Sequence, residues 1–168
     1  MIRTICAVAL SATPAFAMAE GLGSRPVLSN SVASAMVEAC FADQAANGYA
    51  NVNVFVVDDG GHLLVASRQD GACKACADIA EGKAITSALY YAPTRVMANL
   101  SFGENRDGVD AGLPGAAFVP GIVAFAGGLP IVTGDGAVVG GIGVSGASED
   151  EDEQCAQAGI DAVAATLN

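Results

Sequence analysis

The chain has 168 residues, enough for one domain with a substantial core and too few for a two-domain enzyme. A formal charge of −11 argues against nucleic acid and anionic lipid as partners, because both need basic patches that displace counterions. With 52% apolar residues, no Trp and a combined Phe and Tyr count of nine (6 + 3), the core is expected to be packed from small aliphatic side chains.

Residues 1–19 read as a secretory signal peptide. Arg3 gives a short positive start, Thr4 to Ala17 is almost uncharged, and Ala15-Phe16-Ala17 or Ala17-Met18-Ala19 offers a small-x-small cleavage site. The mature chain is expected to begin at Met18 or Glu20, in the periplasm or outside the cell. Loss of Cys6 with that peptide leaves Cys40, Cys73, Cys76 and Cys155, an even set that suits an oxidising compartment and allows three pairings.

Residues 20–168 read as a single domain. Ser29 or Asn30 caps a helix that runs to about Ala46 and stops at Asn47-Gly48. Val52 to Val57 is a β-branched run, Asp58-Asp59-Gly60-Gly61 a tight reversal, and His62 to Ser67 a returning strand, which together make a hairpin. Its consecutive apolar pairs predict a sheet covered on both faces, by helices or by another subunit. A helix from about Lys74 to Tyr91 carries a stripe of small residues and is ended by Pro93, which opens a short helix through Leu100.

Residues 101–121 form a long Gly- and Pro-rich loop containing Arg106. Strands are expected at Ile122 to Ala126, Ile131-Val132 and Ala137 to Val144, with Gly127 to Pro130 and Gly134 to Gly136 as turns. Gly140, Gly141 and Gly143 weaken a strand unless something approaches its backbone closely. Ser148 and Glu151 form a capping box for a final helix whose acidic first turn complements the helix dipole. The expected fold is therefore α+β, with a five-stranded antiparallel sheet flanked by helices in the order α-β-β-α-α-β-β-β-α.

His62 is the sole histidine, so one chain cannot build a multi-histidine metal centre or a Ser-His-Asp triad. It is either a solvent-facing turn residue or a single axial ligand to haem iron. Cys73 and Cys76 at a helix start are a catalytic thiol–disulfide pair, a structural bridge or free thiols. The acids Glu149 to Glu153 are a solvated helix start or a hard-cation site. Lys83, close to the small-residue stripe, needs an anion if buried: Asp70, Asp152 or a ligand carboxylate. Arg68, Asp70 and Lys83 are the expected site, with Arg68 as a carboxylate clamp.

The stretches Val56-Val57-Asp58-Asp59-Gly60-Gly61-His62-Leu63, Ser67 to Ala72, Ala80-Glu81-Gly82-Lys83-Ala84, Pro93-Thr94, Gly127 to Ile131, Gly140 to Gly146 and Asp152 to Ala156 together resemble the GlcG/HbpS family, in order and with compatible spacing from about Leu28 to Leu167. That resemblance implies a PAS-like or profilin-like topology, a symmetric homo-oligomer and frequent export. It also implies haem binding, haem degradation, or iron and redox sensing with a membrane sensor kinase in some members. Where the family commonly has Arg-Met-Asp this chain has Arg68-Gln69-Asp70, and its CxxC is not a family feature. Two functions follow as expectations. The first is a haem or tetrapyrrole binder, with His62 or Thr94 approaching iron and Arg68, Lys83 or Arg106 meeting the propionates. The second is an enzyme or sensor for a small organic acid, held by Arg68 and Lys83, with Asp70 or Glu153 moving a proton. An oligomeric interaction module is the third alternative.

Overall fold

A computed structural model describes residues 23–102 and 115–168. The first helix, α1 (Asn30–Asn47), starts where the Ser29 hydroxyl accepts from the Val32 amide and stops at Gly48, whose φ of 72° ends the helix in the left-handed region. The hairpin follows as β1 (Asn53–Asp58) and β2 (Leu63–Arg68). Next come α2 (Cys76–Tyr90) and α3 (Thr94–Phe102), then a 3-10 turn at Ala116–Phe118. The chain closes with β3 (Gly128–Val132), β4 (Val138–Ser145), α4 (Glu149–Ala162) and α5 (Ala164–Leu167). None of the described helices is long and apolar enough to cross a membrane.

The sheet is antiparallel with strand order β2-β1-β4-β3, so the described residues give four strands where five were expected. Two misreadings account for the difference in number and order. Residues 122–126 are irregular despite their strand-like composition, because side chains take their amides: Val123 N donates to Thr86 Oγ1 at 3.0 Å and Ala126 N to Glu149 Oε2 at 3.1 Å. Gly128 to Pro130, expected as a turn, begins β3. Proline is tolerated there because β3 is an edge strand.

Alternation along β1 divides the core. Val54 and Val56 join Met36, Val37 and Cys40 of α1 and Cys155 and Ala156 of α4, whereas Val57 joins Ala84 and Ala88 of α2, with Phe55 packed against them. The close approach expected at the β4 glycines is made by α2. A Cβ on Gly141 would stand 2.3 Å from Ala84 O, and one on Gly143 would stand 2.1 Å from Ala80 O. The cysteines pair as Cys40–Cys155, which joins α1 to α4 within the core, and Cys73–Cys76, which bridges the turn leading into α2.

Candidate functional site

The hairpin holds His62 in a defined pose. Asp58 Oδ1 accepts from the Gly60 and His62 amides at 2.9 and 2.8 Å and lies 3.2 Å from His62 Nδ1. Partial burial pushes the Asp58 carboxyl up, but the His62 and Gly60 amides outweigh it and hold the group below its ordinary range, so it is a carboxylate at neutral pH. Gly61 takes φ 79°, and a Cβ placed there would meet Ile85 and Leu89 of α2 at ordinary contact distance. The imidazole is 82% exposed, and Leu63 and Leu89 are exposed as well. In the tautomer that carries its proton on Nδ1, facing Asp58, Nε2 is the ring nitrogen left to ligate a metal.

The other end of the hairpin carries Arg68 and Asp70. Arg68, Asn53 and Ser145 lie in one row across β2, β1 and β4. Arg68 is exposed on a cleft of about 390 Å³ lined also by Phe55, Ala66, Ser67 and Ala77. Among the described residues no carboxylate pairs with it. Asp70 is exposed, and its backbone carbonyl accepts from Asn51 Nδ2 at 2.8 Å. Gln69, the residue at which the Arg-Met-Asp pattern departs, ties β1 to α1: its Oε1 accepts from Val52 N at 2.8 Å and its Nε2 donates to Gln44 Oε1 at 2.9 Å.

Lys83 does not join Arg68 and Asp70. It is fully buried, and its Nζ donates to Asp152 Oδ2 and to Val144 O, each at 2.8 Å. Asp152 also accepts from Ala147 N at 3.0 Å. Burial pushes the Lys83 ammonium down and the Asp152 carboxyl up, each against the pull of its partner. A narrow cleft of about 150 Å³, lined by Ile79, Phe125, Ser145 and Glu149 among others, opens beside the pair. Of the three partners the sequence left open, the lysine has Asp152, and the acids around it make the cleft unattractive to an anion.

Thr94 is buried, with its hydroxyl accepting from Gly128 N at 2.9 Å and lying 3.5 Å from Gly128 O. Glu153 accepts from Arg95 Nε at 3.0 and 3.2 Å, and Arg95 also reaches Asp150. Arg106 lies outside the described residues. His62 and Arg68 stand at opposite ends of β2, about 20 Å apart at 3.3 Å per residue. The expected haem and acid residues thus fall into separate places: His62 at the hairpin tip, Arg68 and Asp70 at the far strand end, Lys83 inside. No group of three or more metal-ligating side chains occurs among the described residues. Sequence reasoning missed Asp58 as the partner of His62, although a carboxylate four residues before a histidine across a Gly-Gly turn was the available signal. It also missed Asn53, which the pattern absorbs as the residue before an apolar strand.

A family model described as haem degrading protein HbpS-like matches residues 28–161. Protein GlcG of Escherichia coli (strain K12) is 33% identical over 122 residues, covering 73% of this chain and 84% of that protein. Among solved structures, HbpS matches with a TM-score of 0.71 and 38% identity over 90% of this chain and 99% of that one. A PduOC:heme complex matches with a TM-score of 0.69 and 25% identity, over 82% and 95% of the two chains.

Proposed function

This chain belongs to the HbpS-like family, and from that premise we propose that it binds haem, with His62 as the side chain that would hold the iron. The observation that carries the reading is the Asp58–His62 arrangement: a carboxylate fixed by two backbone amides faces Nδ1 of an exposed imidazole. Metal-ligating histidines commonly have such a partner, which sets the ring and raises its basicity. Exposed Leu63, next in sequence, and exposed Leu89, close to the turn at Gly61, supply apolar surface near the hairpin tip for the macrocycle. The PduOC:heme complex supports a tetrapyrrole as the ligand class. Bound haem would supply a redox-active iron. The chain's own contribution is to orient one nitrogen and to shield one edge of the ring from water.

Hemin titration followed by absorbance tests the reading. Saturable binding with a shifted Soret band is expected, and His62→Ala should weaken it at least tenfold while leaving the melting temperature of the haem-free protein within a few degrees. Unchanged binding by that variant would move the axial ligand elsewhere.

A second reading rests on Arg68, which has no carboxylate partner among the described residues and faces an open cleft. It makes this cleft the seat of a small organic acid, with Asp70 as the proton-moving group. A thermal-shift response to small carboxylic acids, lost in Arg68→Ala, would favour it. Assembly into a homo-oligomer, export after cleavage near residue 19 and a sensing role with a membrane kinase belong to the same proposal. Exposed Tyr90 of α2, Tyr91 just after it, and Val96 and Phe102 of α3 support self-association. Light scattering at micromolar concentration should report more than one subunit, and the intact mass of protein from its own cells should fall short of the full chain.

A further inference from the structure

The two disulfides sit in opposite surroundings. Cys40 and Cys155 are both wholly buried, whereas Cys73 is exposed and Cys76 half-buried. Cys76 is the first residue of the 15-residue α2, and the cap position is Ala75, which offers no side-chain acceptor. The first amides of α2 therefore have no side-chain partner beside the bridge, and the positive end of the helix dipole favours negative charge there. Lys74 lies between the two cysteines, with Asp70 and Asp78 as the nearest acids in sequence.

A separate observation lies beneath the turn. Asn53 is fully buried, and its Nδ2 donates to Cys73 O and to Ser145 O, each at 3.0 Å. Its Oδ1 is the sole buried side-chain polar atom among the described residues that has no hydrogen-bond partner. An orphaned acceptor of this kind costs stability in a finished structure. Here it belongs to the very amide that holds the bridged turn. Opening the bridge frees the turn whose Cys73 carbonyl this amide holds.

We propose that Cys73 and Cys76 form a thiol–disulfide exchange couple, in which exposed Cys73 meets the incoming sulfur and Cys76 is the leaving and resolving sulfur. An external thiolate attacks Cys73 Sγ and forms a mixed disulfide. The Cys73–Cys76 bond breaks, and its electron pair leaves on Cys76 as a thiolate at the start of α2. A second thiolate of the same reductant attacks the external sulfur of the mixed disulfide, releasing Cys73 and an oxidised reductant. Two thiols have then given two electrons and two protons to the protein. The reverse sequence oxidises the pair at the expense of a disulfide substrate. The co-reactant class is a low-molecular-weight thiol or a protein dithiol. This inference is independent of the haem reading, since it uses the opposite end of the sheet from His62.

The test uses the full chain in glutathione buffers of graded ratio, with acid quenching, alkylation and peptide mapping by mass. Cys73–Cys76 is expected to open and close reversibly in folded protein while Cys40–Cys155 stays closed. Cys76→Ser should accumulate a one-to-one glutathione adduct on Cys73 at least tenfold faster than Cys73→Ser accumulates one on Cys76. The bridge should also exchange at least tenfold faster than in an oxidised peptide spanning residues 70–80. Opening of both bridges together, only where circular dichroism shows unfolding, would overturn the proposal. Equal rates in the two serine variants, or a rate equal to that of the peptide, would overturn it as well.

Discussion

On the α1 and α4 side of the sheet, Met36, Val37, Cys40 and Ala156 meet Val54, Val56, Ile142 and Val144, a thick apolar layer with a disulfide inside it. On the α2 side the buried apolar cluster is Val57, Ala84 and Ala88. The rest of that contact is backbone lying on glycine, together with buried Lys83, Thr86 and Ser87. The first side gains from area removed from water and tolerates small changes of shape. The second depends on close approach and on polar groups that each need a partner, so its tolerance is lower. Positions that read sequence pattern poorly, and polar groups of functional interest, collect on that second side.

Five changes would break or sharpen the contrast. Removing the core bridge with Cys40→Ala and Cys155→Ala is expected to cost about 5 kcal/mol on the chain-entropy model, because 115 residues separate the two cysteines. Serine at both Cys73 and Cys76, which lie three residues apart, should cost roughly 2 kcal/mol on the same model. Urea unfolding of both pairs gives the ratio directly, and equal costs would show that the core bridge is strained or redundant. Asp152→Ala leaves the Lys83 ammonium buried without its anion, for an expected loss of about 3–5 kcal/mol. The double replacement Lys83→Met with Asp152→Leu should recover most of it. A loss below about 1 kcal/mol in the single variant would mean that the lysine relaxes into solvent.

Gly143→Ala places a methyl 2.1 Å from Ala80 O, and a loss of about 1–3 kcal/mol is expected as α2 is pushed outward. The same substitution at Gly136, where a Cβ meets nothing within 4 Å, leaves only the strain of its positive φ and is the control. The smallest effect concerns acid. The Ser148 amide and hydroxyl hold the Glu151 carboxyl below its ordinary 4.5. A carboxyl lowered by folding gives stability that is present above about pH 4.5 and is lost as pH falls through the folded value. Glu151→Gln should flatten the unfolding midpoint between pH 6 and pH 3.5, whereas an unchanged slope would assign the acid response to other carboxyls.

Local signals were legible where one stretch of chain decides the structure. Ser29 and Gly48 bound α1, Ser148 and Glu151 form the expected capping box, and the Asp58 to Gly61 reversal makes the hairpin. Residues 122–126 misled because β-branched composition reports a preference for a pleated surface, while the outcome was settled by Thr86 and Glu149 reaching from distant helices. Pro130 read as a turn because an edge position is not visible in a sequence. For the sites, the need of Lys83 for an anion was legible and its choice among three was not. That choice depends on where the fold brings Asp152 of α4 to Lys83 of α2, which no spacing encodes. The cysteine pairing was open for the same reason.

The edge position of Pro130 bears on how the sheet meets other sheets. Both β2 and β3 are outer strands, but proline in β3 withholds an amide from any newcomer, so a ribbon laid against that margin is interrupted at its middle residue. Head-to-tail growth, in which the β2 margin of one molecule pairs with the β3 margin of the next, is thereby blocked. Strand pairing between copies is left with β2 against β2, an arrangement that closes on itself after two molecules and does not propagate into a fibre.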